Sequence, residues 1–150
     1  MILVDTNVLL DVLQDDRTWG TWALQALESA AARDALAINP VIYAELSIAF
    51  ARIEELEQVL VDGALSVEPI PREALFLAGK AFLRYRKQQG TKTNVLPDFF
   101  IGAHAAATAS RILTRDVERP DGESPGPLNH GLRGAFQSGR AHHATSHNVY

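Results

Sequence analysis

Short apolar runs alternating with longer stretches of helical spacing constrain this chain most. Met1–Val4, Ala35–Ile38, Leu65–Ile70 and Arg111–Thr114 read as strands, each a brief run with polar or turn residues at its ends. Between the first two, Val8, Leu9, Val12 and Leu13 recur at helical spacing, and a second helix is predicted over Trp19–Arg33 with Thr18 as its cap. Asn39-Pro40 opens a third helix, with Asn at the cap and Pro at the first helical position, running to about Phe50. Glu54–Val61 continues as a helix ended near Gly63. Pro71 opens a long helix to about Gln89, stopped by Gly90, and Leu96-Pro97-Asp98 begins an Ala-rich helix to about Ser110. Strands alternating with helices predict a parallel α/β sheet covered by helices. Ligands bind such sheets at the carboxyl ends of the strands, so the residues just after each strand carry the functional reading.

Composition narrows the classes. A chain of 150 residues amounts to about one domain and needs no covalent staple. It has no cysteine, which excludes thiol nucleophiles, disulfide scaffolds and cysteine-ligated metals. No apolar run approaches the roughly 18 residues of a membrane span. Met1-Ile2-Leu3-Val4-Asp5 has neither the basic nor the apolar region of a signal peptide. The expectation is a soluble cytoplasmic protein that does not engage a membrane.

The net charge of −4 hides an asymmetry. Residues 1–79 hold 4 basic and 13 acidic side chains, whereas residues 80–119 hold 8 basic and 3 acidic. A basic segment of this kind suits a polyanion better than the whole-chain average implies. Residues 120–150 differ again: they hold 5 of the 10 glycines and 4 of the 5 histidines, with no legible period. This tail is expected to be disordered or loosely packed, separate from a domain over residues 1–119.

Four acids stand out by position. Asp5 follows the first strand and Asp116 the fourth, which places both at one edge of a parallel sheet. Asp98 lies in the first turn of its helix, and Glu45 lies within the apolar stretch Val41-Ile42-Tyr43-Ala44-Glu45-Leu46. Each has an ordinary explanation: a helix cap for Asp5, complementing a helix dipole for Asp98, a turn for Asp116 and a helix surface for Glu45. Gathered together, they would repel unless cations held them, and hard ions such as Mg²⁺ and Mn²⁺ prefer such oxygen ligands.

The motifs around these acids resemble a known family. Val4-Asp5-Thr6-Asn7-Val8-Leu9-Leu10-Asp11 is similar to the opening motif of PIN-domain nucleases, and Tyr43-Ala44-Glu45-Leu46 to their second acidic motif. Leu96-Pro97-Asp98-Phe99-Phe100-Ile101-Gly102-Ala103-His104-Ala105 and Leu113-Thr114-Arg115-Asp116 are similar to the third and fourth. The set, in this order over about residues 1–119, most resembles the VapC toxins of bacterial toxin–antitoxin pairs. The resemblance implies a PIN-like three-layer α/β fold, a central parallel sheet of four or five strands flanked by helices. It also implies a Mg²⁺- or Mn²⁺-dependent endoribonuclease that uses water to cut RNA, neutralised by a VapB-like antitoxin and assembled as a homodimer. Asp5, Glu45, Asp98 and Asp116 become the catalytic, metal-binding acids, Asp5 and Asp98 foremost as direct ligands. Thr6, Asn7 and Thr114 become groups that hold the carboxylates or water by hydrogen bonds. Where the family continues into a final apolar strand, this chain has Arg119-Pro120-Asp121-Gly122, and no closing strand is legible.

Arg84, Arg86, Lys87 and Lys92 form a basic cluster around Tyr85, suited to holding RNA phosphates while the ring stacks on a base. Lys80 and Arg115 are candidates to add to its field. The ordinary alternative is a solvated helix end. His104 reads as a packing residue, because six helical positions from Asp98 put it about 120° away from that acid. Apolar residues of the first helices, among them Leu9, Val12, Trp19, Ile48, Ile53 and Leu56, divide between the core and a partner surface in a way the sequence leaves open. A second reading of the whole is a catalytically impaired PIN-like module that binds RNA or a protein partner.

Overall fold

The computed structural model describes residues 1–87 and 96–115. The expectations for Lys92, Asp116, a fifth strand and the tail over residues 120–150 lie outside these residues. The elements run β1 (Ile2–Val4), α1 (Thr6–Leu13), α2 (Gly20–Ala31), β2 (Leu36–Ile38), α3 (Pro40–Ser47), α4 (Ile53–Asp62), β3 (Leu65–Val67), α5 (Arg72–Lys87), α6 (Leu96–Thr108) and β4 (Arg111–Leu113). The four strands form one parallel sheet in the order β3-β2-β1-β4. Ile2 pairs with Leu36 on one side and Arg111 on the other.

Strand alternation divides the core. Ile2, Val4, Leu36 and Ile38 join the main cluster with α1–α4, which includes Val8, Leu9, Val12, Leu27, Ile42 and Leu56. Leu3 and Ala37 point the other way and pack with Ala105 of α6. All three β1 residues are buried, as befits the inner strand of a sheet with helices on both faces. Strand order also fixes where a ligand can enter. From β1 the chain moves outward through β2 to β3, then returns to β4 on the other side of β1. The switch point therefore lies between the carboxyl ends of β1 and β4.

The element boundaries show which local signals prevail. β3 stops at Val67, and only one further backbone bond follows, from the Glu68 N–H to the Ile38 carbonyl (2.8 Å). Pro69 and Pro71 have no N–H to donate, so the predicted strand to Ile70 cannot continue the ladder. α3 ends at Ser47 and not near Phe50, because the Ala49 and Phe50 N–H groups turn back to Leu46 and Ser47 in a tighter coil. Thr18 does not cap α2. α2 has no side-chain cap; Asp16 Oδ1 accepts from the N–H groups of Thr18 (2.9 Å) and Trp19 (2.7 Å) in the turn that precedes it. α2 then starts at Gly20, where a Cβ would lie 3.1 Å from the Asp11 carbonyl oxygen, and this lets it pass close to α1.

Candidate active site

Asp5 caps α1 and does more than cap. Its backbone is extended (φ −71°, ψ 151°), and Oδ1 accepts from the Thr6 N–H at 2.8 Å. Oδ2 accepts from the Thr114 hydroxyl at 2.8 Å, and the Asp5 N–H donates to the Leu113 carbonyl at 2.9 Å. Asn7 Nδ2 donates to the same Thr114 oxygen at 3.2 Å. The capping explanation is thus correct for one oxygen, while the other is tied to the end of β4 at the switch point. An ionised carboxylate offers about four acceptor sites, so these two bonds leave capacity on both oxygens.

Glu45 reaches the same place from α3. Thr6 donates a hydrogen bond to Glu45 Oε2, so Thr6 joins the second acid to the first through its hydroxyl and its N–H. α3 is aimed by its own start. Buried Asn39 accepts from the N–H groups of Val41 and Ile42, each at 3.0 Å, and Pro40 follows at the first helical position. Ile42 and Leu46 then face the core, leaving Glu45 on the side toward β1 and α1.

Asp98 is exposed in the first turn of α6. Among the described residues, no group of three or more His, Cys, Asp or Glu side chains is close enough together to hold a metal. The described set is therefore two carboxylates joined through a threonine. Its chemistry is all hard oxygen, which fits Mg²⁺ or Mn²⁺ and disfavours softer metals.

The model of the PIN domain family matches residues 2–119. This chain belongs to the PIN domain family. A similar solved structure is VapBC2 from Rickettsia felis bound to a DNA fragment from their promoter. It is 20% identical with a TM-score of 0.55, covering 77% of this chain and 89% of that one. No curated protein matches the chain. The alternating strands and helices, the parallel sheet and the four-strand core over Ile2–Leu113 are as the sequence implies for a PIN domain. No helix among the described residues is long and apolar enough to cross a membrane.

Other sequence candidates separate in this PIN domain. Arg84, Arg86 and Lys87 are exposed in the last turn of α5. Tyr85 is not an open stacking platform, because its ring packs on Phe99 of α6 with centroids 5.8 Å apart. Arg115 does not lend an uncompensated charge to the basic field: its Nη1 bonds both oxygens of Asp11, at 2.8 and 3.0 Å. Sequence reasoning misses Asp11 as a functional candidate. In the sequence it is one more charge beside an apolar stripe, whereas it is buried in the structure. Of the apolar residues in the first helices, Leu9, Val12 and Leu56 are core, while Trp19, Ile48 and Ile53 are exposed.

His104 is a buried packing residue on α6, and Asn39 Nδ2 lies 3.5 Å from its Nδ1. Because Asn39 Oδ1 is committed to capping α3, its amide nitrogen faces the ring, which calls for the neutral tautomer protonated at Nε2. Burial holds the His104 pKa below its usual 6.5, against a smaller upward pull from Glu68. On acidification the unfolded chain takes up this proton first, so the stabilisation is complete above about pH 6.5 and is lost as pH falls below it. Melting midpoints measured from about pH 7.5 down to about pH 5 should decline, and decline less steeply in His104→Gln. An unchanged slope in that variant would remove His104 as the cause.

Proposed function

We propose that this chain is a metal-dependent endoribonuclease of the VapC toxin type, restrained by an antitoxin. The observation that carries this reading is the meeting of Asp5 and Glu45 through Thr6, at the switch point of a PIN-domain sheet. Asp5 and Glu45 would hold Mg²⁺ or Mn²⁺, with Asp98 and Asp116 as the further acids of the set. Bound there, such an ion would acidify water and stabilise charge developing on a phosphodiester. The chain's own residues fix the carboxylates beforehand: Thr114 and the Thr6 N–H hold Asp5, and the Thr6 hydroxyl holds Glu45. Carboxylates oriented beforehand in this way need little rearrangement to receive a cation.

Arg84, Arg86 and Lys87, with Lys92, would grip RNA phosphates from the α5 side. Ile48 at the end of α3 and Ile53 at the start of α4 are exposed, which supports an apolar surface for a VapB-like antitoxin. The similar Rickettsia felis structure is that of VapBC2, and this likeness supports the same kind of partner here. A homodimer belongs to the same reading.

The purified chain should cut structured RNAs in Mn²⁺ or Mg²⁺, stop on addition of EDTA and resume when metal is restored. Metal-independent cutting would reject the reading. A folded chain that binds RNA without cutting it would favour the impaired module.

A further inference from the structure

We propose that Asp11 is a positioning residue whose ion pair with Arg115 fixes the end of β4, so that Thr114 holds the Asp5 carboxylate in one orientation. The effect on catalysis rests on the nuclease reading above; the mechanical part does not.

β4 is only three residues long, stands at one end of the described sheet order, and its first two residues, Arg111 and Ile112, are exposed. Its ladder with β1 runs from Ile2↔Arg111 to Val4↔Leu113 and goes no further in register. Short edge segments with little burial open locally at low cost. Thr114, the residue that orients Asp5, sits just beyond that ladder. The next residue is anchored differently. Arg115 Nη1 lies 2.8 and 3.0 Å from the two oxygens of Asp11, which is 6% exposed on the inner part of α1. The Arg115 guanidinium also lies 5.9 Å from the Trp19 ring centroid.

A carboxylate this buried is strongly disfavoured without its cation, so Asp11 keeps Arg115 against α1. Three consecutive residues are then bound to the β1–α1 segment. Leu113 accepts from the Asp5 N–H, Thr114 donates to Asp5 Oδ2, and Arg115 binds Asp11. Releasing the last frees the hydroxyl of the second to rotate away from the carboxylate. Outer groups that orient a metal-binding side chain typically change metal affinity or activity by about 10–100-fold.

The test compares the full chain with Asp11→Asn and Arg115→Gln, and with Arg115→Lys in case either variant folds poorly. The Asp5 amide, bonded to Leu113, should exchange with solvent about tenfold faster in the variants. The Glu68 amide, bonded to Ile38 across the sheet, should keep its rate and serves as the reference. Direct Mn²⁺ titration should show affinity weakened about tenfold or more, and kcat for RNA should fall with KM little changed. The double variant should be no worse than either single one, because both remove the same contact. A lower melting midpoint with unchanged Asp5 exchange and unchanged Mn²⁺ affinity would overturn the proposal and leave the pair a stability element. If the parent chain neither binds Mn²⁺ nor cuts RNA, the nuclease reading fails, and the exchange comparison still decides whether Asp11 fixes β4.

Discussion

Asp5→Asn should reduce metal-dependent RNA cleavage at least about a hundredfold while leaving the melting midpoint nearly unchanged. A metal and the ligands that hold it contribute several kcal/mol of transition-state charge stabilisation, and each 1.36 kcal/mol is about tenfold in rate. Asparagine keeps the parts of Asp5 that the fold uses. It caps helices about as well as aspartate, and its Oδ1 can still accept the Thr6 N–H. In place of Oδ2 it presents an amide donor, which the Thr114 hydroxyl can accept. What is lost is the negative charge. Single-turnover cleavage in saturating Mn²⁺, alongside a thermal melt, checks both halves. Cleavage within about tenfold of the parent, still dependent on metal, would remove Asp5 from the metal-binding role.

The largest effect on stability should come from the core between α2 and the sheet. Leu27→Ala should lower unfolding free energy by about 2–5 kcal/mol, the range for truncating a buried leucine whose surroundings only partly collapse. Leu27 is fully buried in the main cluster. It lies on α2, which carries none of the four acids, so Mn²⁺ affinity of the folded fraction should hold. Domains of this size have about 5–15 kcal/mol in total, so the variant should unfold at markedly lower urea. Val61→Ala on α4 is the control: Val61 is 72% exposed, and its change should stay within about 0.5 kcal/mol. Equal losses at the two positions would contradict the burial of Leu27.

The helix starts at Asp5 and Asn39 are legible in the sequence because capping is settled within three residues. The start of α2 escapes the same local reasoning. Thr18 is a competent cap, but the chain's path leaves α2 without a side-chain cap and turns Asp16 onto the N–H groups of Thr18 and Trp19 just before it. The end of β3 is open to sequence reasoning, since Pro69 already removes a donor from the predicted strand. Asp5 and Glu45 stand out as candidate acids through their motifs, but the hydroxyl that joins them carries only a general supporting role there. Thr6 and Glu45 are 39 positions apart, and no periodicity relates them.

Short-range spacing is enough to dictate the alternation of strands and helices, the parallel sheet it entails, and the placing of Asp5 at the end of β1. Apolar runs, helical periods and caps act over a few residues, so their outcome can be read directly from the chain. Long-range packing is what buries Asp11 against Arg115, sets His104 against the cap of α3, and lays Tyr85 on Phe99. The first two of these join residues 104 and 65 positions apart, and Tyr85 and Phe99 sit on different helices. Such contacts depend on strand order. Once β4 returns to lie beside β1, a charge that looks solvent-facing on α1 lies under the end of another strand, and burial makes its partner obligatory.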